Sequence, residues 1–570
     1  MQPPHNSMLL SLYRQLKTIV YSNKFAEKMF LEVLFPIVLP VCALFTIFRT
    51  YRVFRTIRHA PSRGENTVIV LGVRSAPATI WGGDLIHSDA LFAHAFKKNG
   101  AQAKVLYHDG LLSSTDAQTV FRSERAQRVA TFLCGWLMKR SLFVDAISYY
   151  DYCTKQDSSD IKQTVAQLNP SELEHFMYCG VHVGQHAKAS TIRYFLSGLI
   201  DLADASHVAV FRKKLVDAII ATRVAKGVAQ RQKPKLLFLL HGIYATWGPF
   251  LEYFRNHNIQ TVMYGNMPSR FGHFIFYRNA KVNAVVAPRQ WEMFKKLPLT
   301  RREEEQADGY FERRVQGNDG DQKIYEKNFD QSLNTQELLK SLDSGSYQRR
   351  FIMYTNLAWD VYVEGHESKF FSDVFDWIDK TITLFKSLPQ YQLIIKPHPG
   401  ELIWEKSSQS IREYIKQTYP ELPPNITVLP PNVPCTAYDL LTPNAIGMVY
   451  NGSLGLDLAN LAIPVLVVAD IHYKDAGVVY PIDTLQEYLN LVKNPKPVFA
   501  FAKSQQKLAK KYAYYYYYKI MMRIPYYRDD EWSVINWQVM ADTKKLLAPH
   551  SPLVTFASLM MKGEDVINPL

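Results

Sequence analysis

A pattern recurs along this chain: a short apolar run ends in a turn containing Gly, His, Asn or Pro, and a stretch with helical periodicity follows. It appears at ENTVIVLGV (Glu65–Val73), AKVLYHDG (Ala103–Gly110), PKLLFLLHG (Pro234–Gly242) and IQTVMYGN (Ile259–Asn266). It returns at RRFIMYTNL (Arg349–Leu357), YQLIIKPHP (Tyr391–Pro399), NITVLPP (Asn425–Pro431), AIGMVYNGS (Ala445–Ser453) and IPVLVVAD (Ile463–Asp470). Apolar runs alternating with helices specify parallel sheets built of βαβ units. In such sheets ligands sit beyond the carboxyl ends of the strands, so the residues closing each run are the ones to read for chemistry.

The two groups of runs are separated by Arg301–Ser346, rich in Glu, Asp, Gln, Gly and Ser, which reads as a partly mobile interdomain connection. Residues 112–230 read as mostly helical. With 570 residues there is room for two large domains and appendages. The expected division is a membrane-associated segment over 1–60, a first Rossmann-like domain with a helical insertion over 61–335, a second Rossmann-like domain over 345–500, and helices over 501–570 packing back across both. The expected fold class is α/β, two Rossmann-like doubly wound domains facing a cleft.

Five scattered cysteines with no paired ligand spacing point to a reducing compartment without structural zinc. A net charge of +14 indicates attraction to a polyanion, whether nucleic acid, anionic lipid or a phosphorylated small molecule. Val33–Phe48 is uncharged and precedes Arg49, Arg52, Arg55 and Arg58, a pattern suited to an interfacial anchor beside anionic headgroups. A buried helix of the first domain is the competing reading, and a true span a third. KKYAYYYYYKIMMRIPYY (Lys510–Tyr527) interleaves basic and aromatic residues; packing with membrane contact is favoured over stacking on single-stranded nucleic acid, for which no motif is present.

Three strand ends carry the candidate chemistry. Lys396, His398, Pro399 and Glu401 close one run, where a rigid turn can hold an imidazole and a nearby ammonium against a phosphate. Asn451, Gly452, Ser453, Leu454 and Gly455 form a small-residue turn into a helix, with Asp457 one turn on, placed to take a ribose hydroxyl or to cap. His472 and Lys474 lie on a loop beyond the third, which either closes over a donor or is an ordinary polar loop. In the first domain His241 ends a run and suits a general base, with Asp84, Asp89 and Asp109 as carboxylate alternatives. A DxD pattern at Asp319 and Asp321 falls in the polar connection rather than at a strand end, so it argues only weakly for a metal-dependent alternative, and no cofactor is expected.

Taken together, TNLAWD, QLIIKPHPGE, YNGSLGLDLANLAIPVLVVAD and YKDAGVVYPI, with LLHGIYATWGPFLEYFRNHNIQTVMYG and the tyrosine-rich tail, resemble the bacterial capsule polysaccharide biosynthesis proteins, a GT-B group related to capsule Kdo transferases. The resemblance implies metal-independent transfer of a sugar from a CMP- or UDP-activated donor to a lipid-linked or growing glycan at the cytoplasmic face of the membrane, alongside other polysaccharide-assembly proteins. It assigns His398, Pro399, Glu401 and the Asn451–Gly455 turn to the donor phosphate. The sequence departs from the family at Asn451–Ser453, where a Gly-Thr-Lys run is common, and at Asp457, where Glu is common. Transfer of a polyol phosphate from a CDP-polyol and a non-catalytic role in polysaccharide assembly are the alternatives.

Overall fold

The computed structural model describes residues 47–55, 57, 64–72, 85–108, 110–112, 140–267, 269–280, 284–318, 329–343, 345–360, 368–402, 410–531 and 533–569. The chain forms two compact units, each discontinuous in sequence. The first comprises Met1–Ser190, Leu202–Tyr264 and Arg523–Glu564; the second comprises Thr191–Asp201, Gly265–Met522 and Asp565–Leu570. This division differs from the expected boundaries at 335, 345 and 500.

In the first unit, β1 (Thr67–Leu71), β2 (Gln102–Tyr107), β3 (Asp145–Ser148), β4 (Leu236–Leu240) and β5 (Gln260–Asn266) lie side by side in the order β3-β2-β1-β4-β5. Every neighbouring pair is parallel. Every residue of β1 and β4 is buried, as expected for central strands covered on both faces. β3, with the sequence DAIS, lies within the stretch read as mostly helical; it has no apolar run and is specified by its pairing along β2, from Lys104 opposite Asp145 to Tyr107 opposite Ser148. The other described residues of that stretch are rich in helix, notably α2 (Ala205–Gln232), which follows α1 (Leu85–Lys98) and precedes α3 (Tyr244–Asn256). The helix Pro552–Lys562 returns to pack on α1, where the Asn99 side chain donates to the Val554 carbonyl at 2.9 Å.

Residues 47–54 are helical and dock on this unit by one face. Val53 and Phe54 are buried, Thr50 Oγ1 lies 2.9 Å from His87 Nε2, and the Arg49 guanidinium sits 3.7 Å above the Trp537 ring. The expected basic helix is therefore split: Arg49 is used in packing, whereas Phe48, Tyr51, Arg52 and Arg55 stay exposed. Among the described residues no helix is long and apolar enough to cross a membrane. The apolar stretch over 33–46 lies outside them.

In the second unit, β6 (His273–Arg278) precedes a five-stranded sheet of β7 (Arg349–Tyr354), β8 (Tyr391–Lys396), β9 (Ile426–Val428), β10 (Ala445–Val449) and β11 (Val465–Val467). Its spatial order is β11-β10-β7-β8-β9, all parallel, so the winding repeats that of β1–β5. The described residues of 301–346, read from the sequence as a partly mobile connection, are largely helical. They hold α4 (Arg301–Val315), opened by a Thr300–Glu303 capping box, and the helix Thr335–Asp343. Ala307, Tyr310, Phe311 and Arg314 are buried on one face of α4 at spacings of three, one and three. A polar helix of this kind hides its stripe because an arginine is one of its members.

The helix α5 (Val374–Lys386) begins at Asp373, whose carboxylate accepts from the Phe375 and Asp376 amides. The two-turn helix α6 (Leu454–Asn460) follows β10. The tyrosine-rich segment forms α7 (Lys496–Tyr514) and runs on into a π-helical turn over Tyr515–Ile520. Tyr512, Tyr514, Tyr515, Tyr516 and Tyr517 are buried, and Lys510, Lys511 and Lys519 are tied to Asp308, the Lys295 carbonyl and the Pro569 carbonyl. This supports the packing reading and leaves those rings unavailable for stacking on bases.

Candidate functional site

The second sheet reverses its winding between β7 and β10, and that break is where the residues at the strand ends converge. Tyr354 at the end of β7 pairs with Val449 at the end of β10. Just beyond, Asn356 Nδ2 donates to Asn451 Oδ1 at 2.7 Å, bridging the two strand ends. That bond fixes the Asn451 amide, so its Nδ2 faces away from Asn356; this nitrogen is buried and has no partner. The Thr355 hydroxyl is likewise buried without a partner, while its amide donates to the Lys396 carbonyl at 3.2 Å and carries the β7–β8 ladder one residue further. Thr355 is 4% exposed and Asn451 5%, so water is largely kept from both.

Lys396 ends β8 and is itself buried. Burial lowers its pKa, with Cys435 and Asp439 acting in the opposite direction, and its ammonium forms no ion pair among the described residues. His398 is half-buried at the start of the turn Pro399–Glu401, and its Nδ1 accepts from the Gly400 amide at 3.0 Å. With Nδ1 an acceptor, a neutral ring carries its proton on Nε2. Gly400 is required under this ring, since a Cβ there would lie 2.8 Å from Nδ1. Glu401 is turned inward: Oε1 accepts from the Ile411 amide at 3.1 Å, and burial pushes its pKa up to about 7. It closes the turn onto the following helix.

In the next turn Gly452 and Gly455 differ. A Cβ at Gly455 would lie 2.3 Å from the Tyr473 hydroxyl, which donates to the Gly452 carbonyl at 2.6 Å, so Gly455 is needed for packing. At Gly452 a Cβ would meet only Val449 Cγ1 at 3.5 Å, an ordinary contact. Packing does not demand a glycine there, and its absent side chain leaves the backbone open to approach. Ser453 is exposed and makes no cap bond to α6; Leu454 is half-buried.

Asp457, expected to meet a ribose or cap a helix, is instead buried against Arg314 Nε at 2.6 Å and the Tyr438 hydroxyl at 2.9 Å. His472, expected on a loop edge, is buried too: Nδ1 lies 2.9 Å from the Tyr512 hydroxyl and the ring stacks on Tyr516 at 3.9 Å. Burial depresses its pKa to about 3, so it is neutral. Both side chains serve packing because distant segments, α4 and α7, come to them. The Lys474 ammonium is buried without a partner, and burial lowers its pKa.

In the first unit the corresponding break lies between β1 and β4. His241, at the end of β4, is half-buried with its ring edge-on to Trp247 at 4.9 Å. The turn below it places Gly242 at φ +62° and Tyr244 at φ +68°; the latter costs a side-chain-bearing residue about 1–2 kcal/mol. Asp89, an alternative base, is buried and accepts from the Tyr264 hydroxyl at 2.5 Å. Asp84, Asp109, Asp319 and Asp321 lie outside the described residues. Among the described residues no group of His, Cys, Asp and Glu is arranged to hold a metal ion.

Thr355 and Asn356 were not read from the sequence, although they follow RRFIMY as Tyr450 and Asn451 follow AIGMV. The position after a buried parallel strand was the available signal.

No family model matches the chain, and no curated protein matches it in sequence. Solved structures to which it is similar include a UDP-GlcNAc 2-epimerase from Neisseria meningitidis bound to UDP-GlcNAc, with 10% identity over 79% of this chain and 97% of that one at a TM-score of 0.24. Another is a spinosyn rhamnosyltransferase, with 11% identity over 78% and 95% at a TM-score of 0.22. At this level the likeness carries no argument. The α/β assignment rests on the two parallel sheets and their strand order.

Proposed function

We propose that this protein is a glycosyltransferase whose second unit binds the phosphate of a nucleotide-activated sugar at the break between β7 and β10. The observation that carries the reading is the pair of buried, unpartnered polar groups at that break, Thr355 Oγ1 and Asn451 Nδ2. A buried polar group without a partner costs about 1–3 kcal/mol, and a ligand with acceptor oxygens offsets that cost. The Lys396 ammonium and the Nε2 proton of His398 close neighbouring strand ends and supply positive charge and a donor as the leaving phosphate gains negative charge. The GT-B arrangement, a role in capsule or surface polysaccharide assembly, a lipid-linked or glycan acceptor, and a place at the cytoplasmic face of the membrane belong to the same proposal. The exposed face bearing Phe48, Tyr51, Arg52 and Arg55 supports the last of these.

The test is thermal stabilisation of the full chain by CMP, CDP, UDP and GDP, repeated with Asn451→Leu and His398→Ala. One nucleotide class is expected to raise the melting midpoint, and both substitutions to remove most of the shift. A folded wild-type protein that responds to none of them would overturn the reading.

A further inference from the structure

Beside the break, the loop after β7 continues through a 3-10 turn over Ala358–Asp360, and a segment distant in sequence is fastened to it. Thr191–Asp201 belongs to the second unit although it lies between two stretches of the first. Ile192 and Leu196 form an apolar cluster with Leu357 and Trp359. Gly198 approaches so closely that a Cβ would lie 2.5 Å from Phe375 Cε2 and 2.8 Å from Ala358 Cβ. The segment is thereby held in one place, and it delivers Arg193.

The Arg193 guanidinium lies 4.1 Å above the Trp359 ring. Its Nη1 is buried with no hydrogen-bond partner, and the indole Nε1 of Trp359, a residue 5% exposed, is buried with none either. Asp360 is close enough to feel the arginine's charge. Guanidinium and indole N–H groups only donate, and the guanidinium stays charged at every accessible pH. Only an acceptor satisfies both, and a negatively charged one also answers the cation.

We infer that Arg193 and Trp359 form an oxyanion subsite flanking the β7–β10 break, taking a phosphate or carboxylate group of the ligand that binds there. Its assignment to the same ligand rests on the proposed donor site. The ring beneath the guanidinium restrains it, so little side-chain freedom is lost on binding. A donor anchored at Thr355 and Asn451 would place a second anionic group, either another phosphate of the nucleotide or an acid group on the sugar, against Arg193.

The experiment is calorimetric titration of the full chain with inorganic phosphate, pyrophosphate, glucuronate and uncharged glucose, followed by nucleoside mono- and diphosphates. Wild type is compared with Arg193→Met and with Trp359→Phe, which keeps a ring under the guanidinium but removes the N–H. Oxyanion affinity is expected to fall about tenfold or more in Arg193→Met and several-fold in Trp359→Phe, with glucose unaffected throughout. A preference for pyrophosphate and diphosphates identifies a phosphate as the occupant; a preference for glucuronate identifies a carboxylate. Absence of oxyanion binding in wild type, or affinities unchanged within about twofold in both variants, would overturn the subsite. Arg193-dependent phosphate binding without nucleotide binding would remove only the donor reading. Nucleotide binding lost in Asn451→Leu but indifferent to Arg193 would remove only the subsite.

Discussion

Arg314 and Asp457 are both almost wholly buried, with Nε 2.6 Å from Oδ2 and the Tyr438 hydroxyl donating to the same oxygen. Such a pair contributes little net stability, because desolvating two ions costs about as much as their attraction returns, but removing one partner strands the other. Arg314→Met is therefore expected to destabilise the protein by about 3–5 kcal/mol in urea denaturation, and Arg314→Met with Asp457→Leu by much less. The same pair shows what was legible at this scale. Lys396, His398 and Asn451 were read correctly as strand-end residues, because a parallel sheet puts whatever follows a buried run at its carboxyl edge. Asp457 was placed by helical phase alone, and the phase of α6 is decided by an arginine 143 positions earlier, on a helix the sequence did not disclose. Arg193 was invisible for a related reason: its place depends on a segment that crosses from one unit's sequence to the other's.

Among the elements, the tyrosine-rich helix α7 and its π-helical turn are held by His472, which bonds Tyr512 and stacks on Tyr516. Its pKa in the folded chain, about 3, lies below the ordinary 6.5, so the unfolded chain binds the proton first. The stabilisation is fully present above pH 6.5 and is lost as pH falls from there towards 3, at up to ~1.4 kcal/mol per pH unit. Melting curves of wild type and His472→Phe should show a shallower acid dependence for the variant across that window. Glu401 runs the opposite way: burial raises its pKa to about 7, so its contribution is lost as pH rises from about 4.5 through 7, and profiles are best compared in a Glu401→Gln background. Most strands were legible because burial on both faces demands continuous apolar sequence. β3 and α4 were not, since an edge strand is fixed by its neighbour and a buried stripe containing arginine resembles a polar linker.

At the scale of the whole molecule, the chain leaves each unit and comes back to it. The first unit is completed only by Arg523–Glu564, whose last helix covers α1 and is joined to β5 through Gln260 Nε2 to the Met560 carbonyl at 2.8 Å. No single cut in the sequence separates the units intact. Leu553 is fully buried under that helix, and Leu553→Ala is expected to cost about 2–5 kcal/mol. Limited proteolysis should then open sites in α1 before sites in β7–β11; cleavage that begins in the second unit would contradict this dependence.

The strands β1–β5 and the second sheet are wound in one order and break at equivalent places, so under the proposed reading the six residues after β7 and the few after β4 would meet ligands while the strands beneath keep their sequence. Heredity gains from such a layout. A lineage can revise what one unit recognises by editing a short loop, leaving the other unit's preference and both cores untouched, and descendants with different specificities then diverge first in the loops and last in the strands.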